Sequence, residues 1–110
     1  MKASVFFIDD QTKNSFLALA SSTAEKQKVQ VSLNAAFDAI ALDVFCGIQV
    51  PKRQIPKSYL AQYRLDNLWK YNFSKNWRLM YTVISDGSTV IALIIEWSPH
   101  KEYERRFGYG

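Results

Sequence analysis

Apolar residues recur every three to four positions in the first half of the chain and every second position in much of the second half. From Ser22 to Cys46 no proline or glycine intervenes, and Val29, Leu33, Phe37, Ile40 and Val44 fall at helical spacing. Ser22 and Glu25 of STAE have the spacing of a capping box, and Gly47 stands where a left-handed residue would close the helix. At about 1.5 Å per residue such a helix is roughly 33–35 Å long. Val31, Ala35, Leu42 and Phe45 form a second apolar set. A helix apolar on two sides has two things to pack against, here the first helix and a sheet, with a protein partner as a third candidate. Upstream, SVFFI (4–8) reads as a strand. QTKNSFLALA, behind the capping residues Asp9 and Asp10, reads as a short helix ending near Ser21.

Past the helix, IQVPKRQIPKSY is expected to be an irregular connector, because Pro51 and Pro56 oppose regular structure. Three strands follow: NLWKYNF (67–73), WRLMYTVI (77–84) and TVIALIIEW (89–97). Ser74-Lys75-Asn76 separates the first pair and Asp86-Gly87 the second, which predicts an antiparallel meander. Ser98 caps a last helix, Pro99 suits its first turn, and the helix runs to Phe107 before Gly108. The expected fold is one α+β domain over 1–110: a strand and two helices packed on the meander, then a short C-terminal helix.

The turns place side chains. A three-residue loop pairs Phe73 with Trp77 and Asn72 with Arg78, and leaves Lys70 on the same face as Arg78. A two-residue Asp86-Gly87 loop sets Ser85 against Ser88 and Arg78 against Ile95, with His100 five residues further. Trp69, Tyr71, Phe73, Trp77, Leu79, Tyr81, Val83, Val90, Ala92 and Ile94 then share an apolar face for the long helix. The other face mixes Ile91, Leu93 and Ile95 with Lys70, Asn72 and Arg78.

Charge sharpens this picture. The 110 residues carry a net +4, but residues 52–78 alone carry +6: Lys52, Arg53, Lys57, Arg64, Lys70, Lys75 and Arg78 against Asp66. Clustered cations of this kind are either a solvated face or a polyanion surface that binds phosphates by releasing counterions. Tyr59, Tyr63, Trp69, Tyr71, Phe73 and Trp77 interleave with them, as core or as stacking platforms for bases. An apolar fraction of 48% supports a packed core. The apolar runs are too short for a membrane span or a secretory signal, so a cytoplasmic protein is expected. One cysteine, Cys46, and one histidine, His100, argue against a metal site or an internal disulfide.

His100 opens EWSPHKEYERRF with Tyr103, Arg105 and Arg106 close behind. Folding at Asp86-Gly87 carries Arg78 to the same rim. Arginine offers a fork of donors for phosphate, histidine moves a proton near neutrality, and tyrosine donates or stacks. These groups suit RNA cleavage without a metal, in which the 2′-hydroxyl attacks the adjacent phosphate. Each also has a structural reading: a surface histidine at a helix start, an Arg78–Glu96 ion pair, and Tyr103 in the core.

The order of elements, together with NLWKYNFSKNWRLMYTV and EWSPHKEYERRFGY, resembles the RelE/ParE superfamily of toxins from prokaryotic toxin–antitoxin pairs. The first segment is similar to that family's "L..n..WRl.Yt" hairpin and the second to its closing "H..Y". GIQVPKRQIPKSY resembles the basic connector of an archaeal-type branch. The resemblance implies a cofactor-free endoribonuclease that cuts mRNA, often on the ribosome, and is held by an antitoxin. It assigns Arg78 to the transition-state phosphate, His100 to acid–base work and Tyr103 to the C-terminal aromatic, at a shorter spacing than in several branches. Lys52, Arg53 and Lys57 correspond to the basic residues before the meander. Arg64, Lys70, Arg105 and Arg106 complete the expected RNA-binding set, and Glu102 is a candidate base. The ParE branch instead acts on DNA gyrase, and an inactive RNA- or protein-binding module would keep the fold alone.

Overall fold

The computed structural model describes residues 1–107, apart from the Arg106 side chain, so Gly108 as a helix stop lies outside the described residues. It is an α+β fold with a five-stranded mixed sheet and four helices. The strands are β1 (Ser4–Phe7), β2 (Ile48–Gln49), β3 (Trp69–Phe73), β4 (Trp77–Asp86) and β5 (Thr89–Pro99), in spatial order β1-β5-β4-β3-β2. The helices are α1 (Asp10–Ala18), α2 (Ala24–Leu42), α3 (Lys57–Tyr63) and α4 (His100–Phe107). β3, β4 and β5 form the antiparallel meander, and β1 joins β5 in parallel.

α1 starts where Asp9 accepts a hydrogen bond from the Thr12 amide at 2.8 Å. For α2 the cap is Thr23, one residue after Ser22: its Oγ1 accepts from the Lys26 amide at 3.2 Å. Val29, Leu33, Ala36 and Ile40 line its buried face. The helix stops at Leu42, short of Cys46, because Asp43 turns to extended backbone and its carboxylate accepts from the Phe45 amide at 3.1 Å. Gly47 is needed for proximity: a Cβ there would lie 2.6 Å from the Lys70 carbonyl oxygen and 2.7 Å from Tyr81 Oη.

The connector is more ordered than its prolines suggest. β2 pairs with β3, a 3₁₀ turn covers Lys52–Gln54, and α3 follows. Pro56 flanks α3 where no helical N–H is required, and its carbonyl accepts from Tyr59 and Leu60. The helix ends on Arg64 in the left-handed conformation, φ 53°.

Register follows the prediction between β3 and β4, with Phe73 opposite Trp77 and Asn72 opposite Arg78. Between β4 and β5 it differs. Asp86 pairs with Thr89, so the loop is Gly87-Ser88, with Gly87 at φ 62°. A bulge between Met80 and Tyr81 then gives Tyr81 opposite Ile94 but Met80 opposite Glu96. Together these shifts set Arg78 against Ser98 instead of Ile95. His100 is thereby only two residues beyond Arg78's partner.

Two cores sandwich the sheet. On one side α1 and α2 bring Phe16, Leu33, Ala36 and Ile40 onto Phe73, Leu79, Tyr81, Ala92 and Ile94, the apolar face expected from the alternation. Tyr81 is fully buried there; its hydroxyl donates to the Val44 carbonyl at 2.7 Å and accepts from the Gly47 amide at 3.2 Å. Burial pushes that phenol well above its ordinary pKa. On the other side α3 and α4 cover Leu68, Met80 and Ile95 through Tyr59, Tyr103 and Phe107. Tyr59 and Phe107 meet edge to face at 6.1 Å, tying the two short helices together. Among the described residues no helix is long and apolar enough to cross a membrane.

Candidate functional site

Three elements converge at one rim of the sheet. Arg78 is the second residue of β4, Lys70 lies in β3 on the same face, and α4 begins immediately after β5. The start of α4 is pinned to the β3–β4 turn, since the His100 amide donates to the Asn76 carbonyl at 2.6 Å. The helix therefore cannot swing away from Arg78 without breaking a backbone contact.

The imidazole is held at both nitrogens. Arg78 Nη2 lies 2.7 Å from His100 Nδ1, and His100 Nε2 lies 2.7 Å from Glu104 Oε1. A guanidinium only donates, so Nδ1 accepts, and Nε2 carries the proton given to Glu104. The His100 and Glu104 side chains are each 39% exposed, so the pair is open to an incoming ligand. Arg78 also donates through Nη1 to the Trp77 carbonyl at 3.2 Å, which fixes its plane.

Tyr103 lies beneath these groups. It is 2% exposed, stacked on Phe107 at 4.4 Å, and covered by Lys70 Nζ at 5.0 Å and Arg78 Cζ at 5.9 Å from its ring centre. The ring is thus a floor that holds two cations in place, and it presents no open face for a base. This is the core reading of Tyr103. Burial, followed by the neighbouring Arg78 charge, draws the Lys70 ammonium below its ordinary pKa.

The remaining basic residues spread out. Arg53 and Lys57 are exposed in the 3₁₀ turn and at the start of α3, which packs on the same sheet face as α4. Lys52 sits 3.7 Å from Asp66 in an exposed pair. Arg64 lines a groove with Ile84 and Ser85. That is the other end of β4, roughly 20 Å from Arg78 by the rise of the strand. Arg105 is exposed on α4, and the Arg106 side chain is outside the described residues. Glu102 is exposed on α4, but the carboxylate that meets His100 is Glu104. The i,i+4 spacing of His100 and Glu104 on one helix was the available signal for it.

Among the described residues no group of three His, Cys, Asp or Glu side chains is arranged to hold a metal ion. Comparison with protein-family models, curated proteins and solved structures returned no match.

Proposed function

We propose that the chain is a metal-independent endoribonuclease, the toxin of a cytoplasmic toxin–antitoxin pair, acting on mRNA at the ribosome with Arg78, His100, Glu104 and Lys70 as its working residues. The observation that supports this reading most is the 2.7 Å contact between Arg78 Nη2 and His100 Nδ1 on an open rim. A scissile phosphate competes for the guanidinium and releases the Nδ1 lone pair. Nδ1 then takes the proton of the 2′-hydroxyl while its oxygen attacks phosphorus. Arg78 steadies the charge on the phosphorane, and Glu104 holds Nε2–H and balances the imidazolium that forms. The P–O5′ bond breaks, and the leaving oxygen takes a proton from the Lys70 ammonium, which burial makes more acidic than usual. The products are a 2′,3′-cyclic phosphate and a 5′-hydroxyl.

The test is cleavage of mRNA by the purified chain with excess chelator, with and without ribosomes. The expected result is cyclic-phosphate ends, with Arg78→Ala and His100→Gln each slowing cleavage by about 100-fold or more while the circular dichroism spectrum is unchanged. Full activity in both variants sinks the proposal. DNA damage signalling without cut transcripts, on induced expression in cells, would point to gyrase instead.

A further inference from the structure

The sheet face that carries α3 and α4 is covered over only part of its width. Toward β1 it stays open: Phe6 is 55% and Ile84 46% exposed. The register lines these residues up, with Ser4 beside Ile91 and Ile84 in one row, and Phe6 beside Leu93 and Thr82 in the next. An apolar strip therefore runs across the sheet and out to its last strand.

Among the described residues that strand's outer side is open along Val5–Phe7, although just before it the Ala3 amide donates to the Ala41 carbonyl at 2.9 Å. The Ile8 amide donates to the Ile94 carbonyl, so the even-numbered residues of this parallel pair aim their backbone groups at β5. Val5 and Phe7, between them, aim theirs outward, where β1 ends the sheet. A groove of about 470 Å³, lined by residues 5–10 and Lys13, follows the same strand. SVFF contains no proline and no charge, the devices that usually blunt a sheet edge.

We propose that β1 pairs antiparallel with β1 of a second copy of this chain, joining two five-stranded sheets into one. Charge selects this occupant. Antiparallel pairing brings the Lys2 end of each strand to the Asp9–Asp10 end of the other, and the two-fold axis repeats the attraction. Lys2 and Asp10 are both exposed, whereas Asp9 already caps α1, and Lys13 leaves that end one charge negative. Centred on Phe6, the register lets Val5 exchange both backbone hydrogen bonds with Phe7 of the partner subunit, twice over. Phe6 then meets its own copy in the closer, non-hydrogen-bonded position. The outward backbone groups and the exposed phenylalanine are satisfied by the same contact.

Light scattering of the full chain after gel filtration, from micromolar to millimolar concentration, tests this. A mass about twice 12.7 kDa is expected as concentration rises. Phe6→Lys, at an exposed position, should raise the dissociation constant roughly tenfold or more and leave the melting curve of the monomer intact. Lys2→Glu and Asp10→Lys should each weaken the dimer, and the two together in one chain should restore it, because each new charge finds its opposite across the axis. Three results overturn the proposal: a monomer at every concentration, a dimer indifferent to Phe6→Lys, or a double variant as weak as the single ones. A monomer that instead captures an extended peptide along β1 overturns it as well. None of these readings depends on nuclease activity.

Discussion

At the scale of single residues, His100 is defined by its neighbours more than by its own chemistry. Arg78 and Glu104 contact opposite nitrogens of one ring, so the tautomer and the ring orientation are fixed together. Glu104→Gln keeps the size but weakens the acceptor for Nε2–H. If the chain cleaves RNA as proposed, the expected effect is a loss of cleavage smaller than that of His100→Gln, measured on the same substrate; equal or greater activity than the parent would remove Glu104 from the proposed mechanism. That Arg78 and His100 share a rim was legible because the hairpins return both to one end of the sheet; their direct contact was not, because it depends on the Gly87-Ser88 turn and the bulge beside Met80. Glu104 was not, since the neighbouring Glu102 is as acidic and only helical phase tells them apart. Tyr103 was ambiguous for a different reason: a tyrosine in a helix reads the same whether its ring lies under cations or above them.

Asp43 supplies a pH-dependent prediction at the same scale. The Phe45 amide, donating to its carboxylate, lowers its pKa from the ordinary 3.8. A depressed carboxylate stabilises the fold above its unfolded pKa, and that contribution disappears as pH falls through the folded value. Asp43→Ala should therefore lower the melting temperature at neutral pH and converge with the parent chain in strong acid. A gap that persists unchanged in acid would show that the carboxylate charge is not what matters.

At the scale of elements, the long periodic helix and strands were readable, as were the short β1, α1 and α4 with their caps and apolar runs, whereas β2 and α3 in the connector were not. α2 and the meander declare themselves because burial on one face imposes a period over many residues. α3 occupies seven residues between a proline and a left-handed arginine, and tertiary packing of Tyr59 on Phe107 decides it. The sequence pattern carries α2 past its actual end at Leu42. Gly47 looks like a helix terminator, yet it is glycine because β3 and Tyr81 approach it closely. Gly47→Ala forces backbone or a buried ring to shift and should cost about 1–3 kcal/mol of stability. Chemical denaturation measures this directly. A neutral substitution would mean that β2 and the segment before it give way at little cost.

At the scale of the whole molecule, the +6 segment resolves into separate places. Arg53 and Lys57 belong to the side that carries the Arg78–His100 rim, whereas Arg64 sits at the far end of β4. A charge count along the chain cannot see this, because one strand length separates residues that the sequence merely lists in order. If RNA lies across the rim, Arg53→Ala and Lys57→Ala should each flatten the salt dependence of binding by about one unit of log–log slope, and Arg64→Ala should not. Titrations at several salt concentrations distinguish the three. Equal effects at all three positions would indicate diffuse attraction in place of a track.

The bulge at Ile95 has a consequence for how this molecule tolerates change. Ile94 and Trp97 both reach the α1–α2 core although they stand three apart, because one residue of β5 has no opposite number in β4. Without the bulge, Ile95 would pair with Met80 and every later residue would slip by one, setting Trp97 opposite Arg78 and turning its indole out from beside Phe16 onto the charged side. Core and rim are thus held in phase by a single bulged residue, so an inserted residue between it and the rim would disturb both at one stroke.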